Sequence, residues 1–366
     1  MSILLPPPPA ALLALALAFA STACPAETIP AAGPLVRAEG RTVPTPRQGL
    51  RLGYPGVAFH LSAQGPSLAM RAETSADEVD FDVLVDGRFA RRVRLARGES
   101  DAVLFEGASD AAHTVDLVHC TETSNGICEI ETFSARGFLS PPAAPTRRLL
   151  FIGDSFTCGA AAECRPGLPI RPTKSQRQNA RLSYGWLLSR ALGADVSIVA
   201  YAGRGLLRDW QGLSSPREAP EFYEYAIADD PATPWAHASY VPDAIALCLG
   251  NDFDAGVPDE TTFIRAYIEF VRKLRRDAPR AAIVLIVSPV VTDRPGSVPR
   301  HTVLRAYLDQ VAKALGDPAV LVADVGTYPG VPGDWHPDGT AHEAVAAILD
   351  PILRKALTGV PGKANP

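Results

Sequence analysis

The stretch from Arg148 to Ala160, RLLFIGDSFTCGA, runs apolar to Ile152, stops at Gly153 and then presents Asp154 and Ser155. A serine placed at a strand end becomes a nucleophile when three conditions hold. A base must reach its hydroxyl, a third group must orient that base, and N–H donors must await the oxyanion. Of the seven histidines, His60, His113 and His119 fall in a β-rich half, and His237 and His301 in polar connections away from strand ends. His336 and His342 remain, in GDWHPDGTAHEAVAAILDPIL. His336 sits in a loop ahead of a helix, with Pro337 stiffening the backbone behind it. Asp334, two residues earlier, can bond the second imidazole nitrogen and set the tautomer. His342 falls in the first turn of that helix, as a supporting or exposed residue. Oxyanion donors are available from the Asn251 amide in LGNDFD, from the glycine turn AGRG (202–205) and from the N–H of Ser155. Each piece alone has a plainer reading, as a turn or a helix cap. Their joint arrival at successive strand ends favours nucleophilic catalysis.

Five short apolar runs have to position these residues: LLFIGD, VSIVAYAG, AIALCLGND, AIVLIVSP and VLVADVG. They alternate with helical patterns at 184–193, 260–278 and 303–316, which predicts a parallel sheet covered on both faces. Ligands of such sheets bind beyond the carboxyl ends of the strands, so Ser155, Gly203, Asn251 and the segment after Val325 share one rim. From about Leu35 to Pro142 the period is two instead, in short runs such as GVAFHLSA, SLAMRAE and HTVDLVHC. Asp86-Gly87 lies between two of them as a hairpin signal. This half reads as a β-sandwich or jelly roll. The proline-rich SPPAAPTRR (140–148) separates the halves. The expected organisation is a leader at 1–30, a β-sandwich at 31–142 and a catalytic domain at 143–366.

The 366 residues are 47% hydrophobic and 20% charged, with a formal net charge of -5. That balance suits a globular protein and offers no reason to expect nucleic acid or an anionic membrane as partner. LLPPPPAALLALALAFASTAC is uncharged, and its apolar run has the length of a signal-peptide core rather than a membrane span. Export to a secreted or periplasmic location is expected. Cys24 is where a lipid anchor would attach, although Ser21-Thr22-Ala23 lacks the leucine of a lipobox. Cys120 and Cys128 bracket an Asn125-Gly126 hairpin signal, and Cys158 and Cys164 bracket a short loop; both are candidate disulfides. Cys248 reads as a buried thiol. No CxxC pair, phosphate loop, HExxH helix or GxGxxG appears, so neither a metal nor another cofactor is expected.

The second half, about 148–357, resembles the SGNH hydrolases, the GDSL-like esterase superfamily named for Ser, Gly, Asn and His in four blocks. GDSFTCG, AYAGRG, GND and DWHP are similar to those blocks. The resemblance implies Ser155 as nucleophile, His336 as base, and Ser155, Gly203 and Asn251 as oxyanion donors, with Gly205 the fallback for Gly203. Most of the superfamily carries Asp three residues before the histidine, where this chain has Gly333. DWHP, with Asp334 two before, instead resembles the second carbohydrate esterase family. That family joins a jelly roll to a flavodoxin-like α/β/α three-layer domain with a parallel sheet. Membership would imply a secreted serine esterase that removes O-acetyl groups from xylan- or glucomannan-type carbohydrates. Trp335 and Trp210, and then Trp235, become candidate platforms for a sugar ring, and Trp186 reads as core. A different SGNH esterase, lipase or thioesterase is the alternative, then a non-catalytic carbohydrate-binding protein. The lack of an apolar lid counts against the former, and the full set of blocks against the latter.

Overall fold

The computed structural model describes residues 26–107, 110–215 and 217–358. The leader, including Cys24, lies outside the described residues.

The first half forms one antiparallel sheet of ten strands among the described residues. Its main strands are β1 (Ala58–Thr74), β2 (Val79–Val85), β3 (Arg88–Leu95), β4 (Gly98–Glu106), β5 (Ala112–His119) and β6 (Cys128–Leu139). The runs GVAFHLSA and SLAMRAE belong to one long strand, β1, interrupted by Gly65 at φ 112° and Pro66. The first part of β1 pairs with β5 and the second with β4, while β6 pairs along the opposite edge. Asp86 (φ 50°) and Gly87 (φ 74°) turn β2 into β3 with both central residues left-handed, as a type I′ hairpin requires. Strand Glu27–Pro30 pairs with Thr132–Ala135, so the sheet begins ahead of residue 31.

Asn125-Gly126 does not close a hairpin. β5 and β6 pair with opposite edges of β1, and the chain between them crosses over instead of turning back. This separates Cys120 from Cys128: the former lies near Asp82, Arg92 and Arg181, the latter in the apolar core with Ile130 and Phe133. Cys158 is likewise packed in apolar surroundings, away from the polar loop that carries Cys164. All five described cysteines are free and buried, so neither expected disulfide forms.

The chain then enters a parallel sheet of β7 (Arg147–Gly153), β8 (Ala194–Ala200), β9 (Ala244–Cys248), β10 (Ala282–Val287) and β11 (Val320–Asp324). The order is β8-β7-β9-β10-β11, the 2-1-3-4-5 arrangement of flavodoxin-like sheets. Alternate residues face opposite layers. Leu150, Ile152, Ile245, Leu247 and Leu285 share a core with helices α2 (Glu260–Asp277) and α3 (Arg300–Leu315). Phe151, Ile198, Ala246, Val284 and Ile286 share the other with α1 (Tyr184–Ala191) and α4 (Gly339–Thr358). Each fully buried Leu, Ile or Phe contributes roughly 1.5–3 kcal/mol of apolar transfer, which makes the two-sided layering the dominant local term. Asp259 caps α2 by accepting the Thr262 N–H at 2.9 Å, and Gly316 at φ 61° ends α3.

Edge strand β8 would leave N–H groups unpaired. The fully buried carboxylate of Glu39, from the β-rich half, accepts the Val196 N–H at 2.6 Å. The two halves are thus joined by hydrogen bonds as well as by a shared core.

Candidate active site

β7 ends at Gly153, where nothing larger fits. A Cβ there would lie 2.1 Å from Thr157 Oγ1 and 2.7 Å from the Cys248 carbonyl oxygen. Asp154 follows, fully buried, accepting the Phe156 N–H at 3.1 Å and the Gly250 N–H at 2.9 Å. Burial pushes its carboxyl up to about 6, against the opposing pull of those two N–H groups. One side chain therefore shapes the serine turn and ties it to the turn beyond β9.

Ser155 Oγ lies 2.7 Å from His336 Nε2, and His336 Nδ1 lies 2.6 Å from Asp334 Oδ1. The same Asp334 oxygen accepts the His336 backbone N–H at 3.2 Å. Arg177 Nε donates to Asp334 Oδ2 at 2.8 Å. Burial would raise the Asp334 carboxyl, but the hydrogen bonds and charge of His336, helped by Arg177, hold it down to about 2. An ionised Asp334 only accepts, so Nδ1 carries the proton and Nε2 is free to accept from the Ser155 hydroxyl.

Among the described residues, the N–H groups of Ser155 and Gly203 donate to no protein acceptor. The Gly205 N–H is taken by Glu218 Oε2 at 2.9 Å. Gly203 has φ 80°, and a Cβ there would sit 3.0 Å from Trp210 Cδ1. Asn251 is 7% exposed and donates one amide N–H to Asp254 Oδ2 at 2.7 Å. Its Oδ1 is buried without a partner among the described residues.

Two residues to which the sequence reading gave no part in the site, Asp252 having been read only as a helix cap beside Asn251, also contribute. Asp252 is fully buried and accepts the N–H groups of Leu206 (2.6 Å), Leu207 (2.8 Å) and Arg208 (3.2 Å), which shapes the loop beyond Gly203. Its position directly after Asn251 was the available signal. Arg177, 157 positions from Asp334 in sequence, carried no such signal. His342 is buried, not exposed: its ring stacks on Phe156 at 4.2 Å and its nitrogens meet the Tyr184 N–H and the Ala160 carbonyl. Trp335 and Trp210 stand 86% and 56% exposed. Trp235 lies under the Arg41 guanidinium at 4.9 Å, and Trp186 is core. A cavity of about 220 Å³ beside His336 is lined by Lys174, Arg177, Gln178, Asp334 and Trp335 among others. Among the described residues, no cluster of three or more His, Cys, Asp or Glu is disposed to hold a metal ion.

A family model for the carbohydrate esterase 2 N-terminal region matches residues 38–142, and the GDSL-like lipase/acylhydrolase family matches residues 151–345. An acetylxylan esterase / glucomannan deacetylase of Cellvibrio japonicus (strain Ueda107) is 32% identical over 334 residues, 90% of this chain and 91% of that protein. The chain belongs to carbohydrate esterase family 2. This family 2 esterase superposes on a family two carbohydrate esterase from Cellvibrio japonicus with a TM-score of 0.84 at 32% identity, covering 91% of this chain and 98% of that one. A family two carbohydrate esterase from Clostridium thermocellum, solved with cellohexaose, gives 0.81 at 25% identity, covering 88% and 99%. The esterase is thus an ester hydrolase with a GDSL-like domain behind a mostly-β N-terminal half. No helix among the described residues is long and apolar enough to cross a membrane.

Proposed function

We propose that the esterase removes O-acetyl groups from xylan- or glucomannan-type polysaccharides and their oligosaccharides through an acyl-enzyme on Ser155. The observation that carries this reading is the unbroken chain Ser155 Oγ–His336 Nε2, His336 Nδ1–Asp334 Oδ1, at 2.7 and 2.6 Å. Ser155 Oγ attacks the acetyl carbonyl as His336 Nε2 takes its proton, and ionised Asp334 stabilises the imidazolium. The free N–H groups of Ser155 and Gly203, with the Asn251 amide, receive the oxyanion. The sugar oxygen leaves with the proton from His336. Water, deprotonated by His336, then attacks the acyl carbon; acetate departs and Ser155 regains its proton.

The substrate class rests on the family and on the relative named an acetylxylan esterase / glucomannan deacetylase. Exposed Trp335 and Trp210 offer faces on which a pyranose can stack. The β-rich half is taken as a jelly roll, in keeping with the antiparallel pairing of all its strands. Export to a secreted or periplasmic location rests on the leader's uncharged core.

The test is acetate release from an aryl acetate and from acetylated xylan, by the protein and by Ser155→Ala. Turnover of both by the protein alone supports the mechanism. No turnover by a folded protein sinks it. Preference for long acyl chains over acetyl would move the substrate to a lipase or thioesterase class.

A further inference from the structure

We infer that Arg177 is a positioning residue for the catalytic triad and that the β-rich half of the molecule holds it in place. The inference rests on the reading of Asp334 as the partner of His336.

Asp334 and His336 belong to one loop, and a single carboxylate oxygen, Oδ1, accepts both the ring N–H at 2.6 Å and the backbone N–H at 3.2 Å. Nothing on that loop holds Oδ2. A carboxylate held at one oxygen can rotate about its terminal torsion, where the energy wells are broad. Arg177 Nε closes this freedom by donating to Oδ2 at 2.8 Å. Arg177 is itself anchored: its terminal nitrogen donates to the carbonyls of Arg171 and Pro172 at 3.0 and 3.1 Å.

Arg177 ends the short helix Lys174–Arg177, which Thr173 and Gln176 cap reciprocally. Four residues cannot sustain a helix by themselves. The β-rich half supplies the rest. Lys174 pairs with the fully buried carboxylate of Glu122, Ser175 Oγ donates to Glu78 Oε2, and Gln178 Nε2 donates to Asn125 Oδ1 at 3.2 Å. A continuous polar path therefore runs from Glu122 through the short helix and Arg177 to Asp334, His336 and Ser155. The β-rich half is on this account part of the catalytic apparatus, acting at a distance from the substrate.

The experiment measures kcat and KM on an aryl acetate for Arg177→Gln, Arg177→Lys, Glu122→Gln, Asp334→Ala and the double variants of each with Asp334→Ala, with thermal midpoints recorded for all. Arg177→Gln is expected to lower kcat roughly ten- to a hundredfold, the loss typical when a partner that orients a metal-binding side chain is removed, with KM little changed. Arg177→Lys should recover part of the loss, and Glu122→Gln should lose less than Arg177→Gln. In the Asp334→Ala background all three should have almost no further effect, because residues acting through one another are non-additive. Full multiplication of the losses, or wild-type kcat in Arg177→Gln, overturns the inference while leaving the triad intact. Wild-type kcat in Asp334→Ala would instead overturn the reading of Asp334 itself. If Arg177→Gln fails to fold, the Lys and Glu122 variants carry the same comparison.

Discussion

Asp154 Oδ2 accepts the backbone N–H of Gly250 at 2.9 Å, across 96 positions of sequence. Ser155 and Asn251 therefore sit on two turns joined by one buried carboxylate. Replacing Asp154 by Asn keeps one acceptor but sets an amide N–H against a backbone N–H. The expected loss is about 1–3 kcal/mol of stability, the cost of an unsatisfied buried group, together with a fall in kcat. The pH dependence has a definite sign. The folded carboxyl titrates at about 6, above its unfolded value, so its contribution is full below the unfolded value and lost as pH rises through 6. Denaturant unfolding at pH 5 and 7.5 should show wild-type minus Asn stability decreasing with pH. An increase would refute the assignment.

Asp334 titrates at about 2 in the folded protein, below its unfolded value. Its contribution is present above the unfolded value and lost as pH falls toward 2, so its charge is intact throughout the neutral range. Asp334→Ala should cost less kcat/KM than His336→Ala, because the imidazole that takes the Ser155 proton is still present. Asp334→Asn should be worse than Asp334→Ala if the amide stabilises the wrong tautomer, an effect of up to ~10⁴-fold in serine proteases. Steady-state kinetics on an aryl acetate decide between these orders.

Gly203 and Gly205 should fail in different ways. Alanine at 203 must adopt φ 80° and press on Trp210, at about 1–2 kcal/mol of backbone strain, and displaces a free N–H. A loss of roughly 10²–10³ in kcat with a modest drop in thermal midpoint is expected, as for removal of one oxyanion donor. Alanine at 205 would place a Cβ 2.4 Å from Asp252 Oδ2 and 2.5 Å from the Arg208 carbonyl. That change should lower the thermal midpoint more than the first. Equal effects of the two on kcat and midpoint would contradict the distinction.

His342 is buried as a neutral ring, and burial lowers it to about 4. Its contribution is full above the unfolded value near 6.5 and lost as pH falls through 4, on the order of 3 kcal/mol in all. The stability difference between the protein and His342→Gln should therefore shrink as pH drops from 7 to 4. Denaturant titrations across that range would show a flat difference if the ring titrated in the fold as it does in the unfolded chain, and a growing one if it were charged in the fold.

Much of this protein is legible without coordinates because the signals are local. Period two before residue 142, and apolar runs alternating with helical patterns after it, follow from side-chain direction along strands and helices. GDS and GND mark strand ends, DWHP marks the loop before the last helix, and Asp334 stands close enough to His336 in sequence for their contact to be anticipated. The Asn125-Gly126 signal failed because a turn motif reports local backbone preference, whereas strand pairing depends on which edge of β1 is available.

The sequence by itself determined the two halves, the five parallel strands and the serine, histidine and aspartate that meet on their rim. Only the tertiary structure decided which glycine keeps a free N–H, since Glu218, thirteen positions away, takes that of Gly205. It alone set Arg177 against Asp334 and parted Cys120 from Cys128. The reason is the same in each case. Hydrogen-bond use and thiol proximity are properties of neighbours in space, and packing brings those neighbours together from distant positions in the chain.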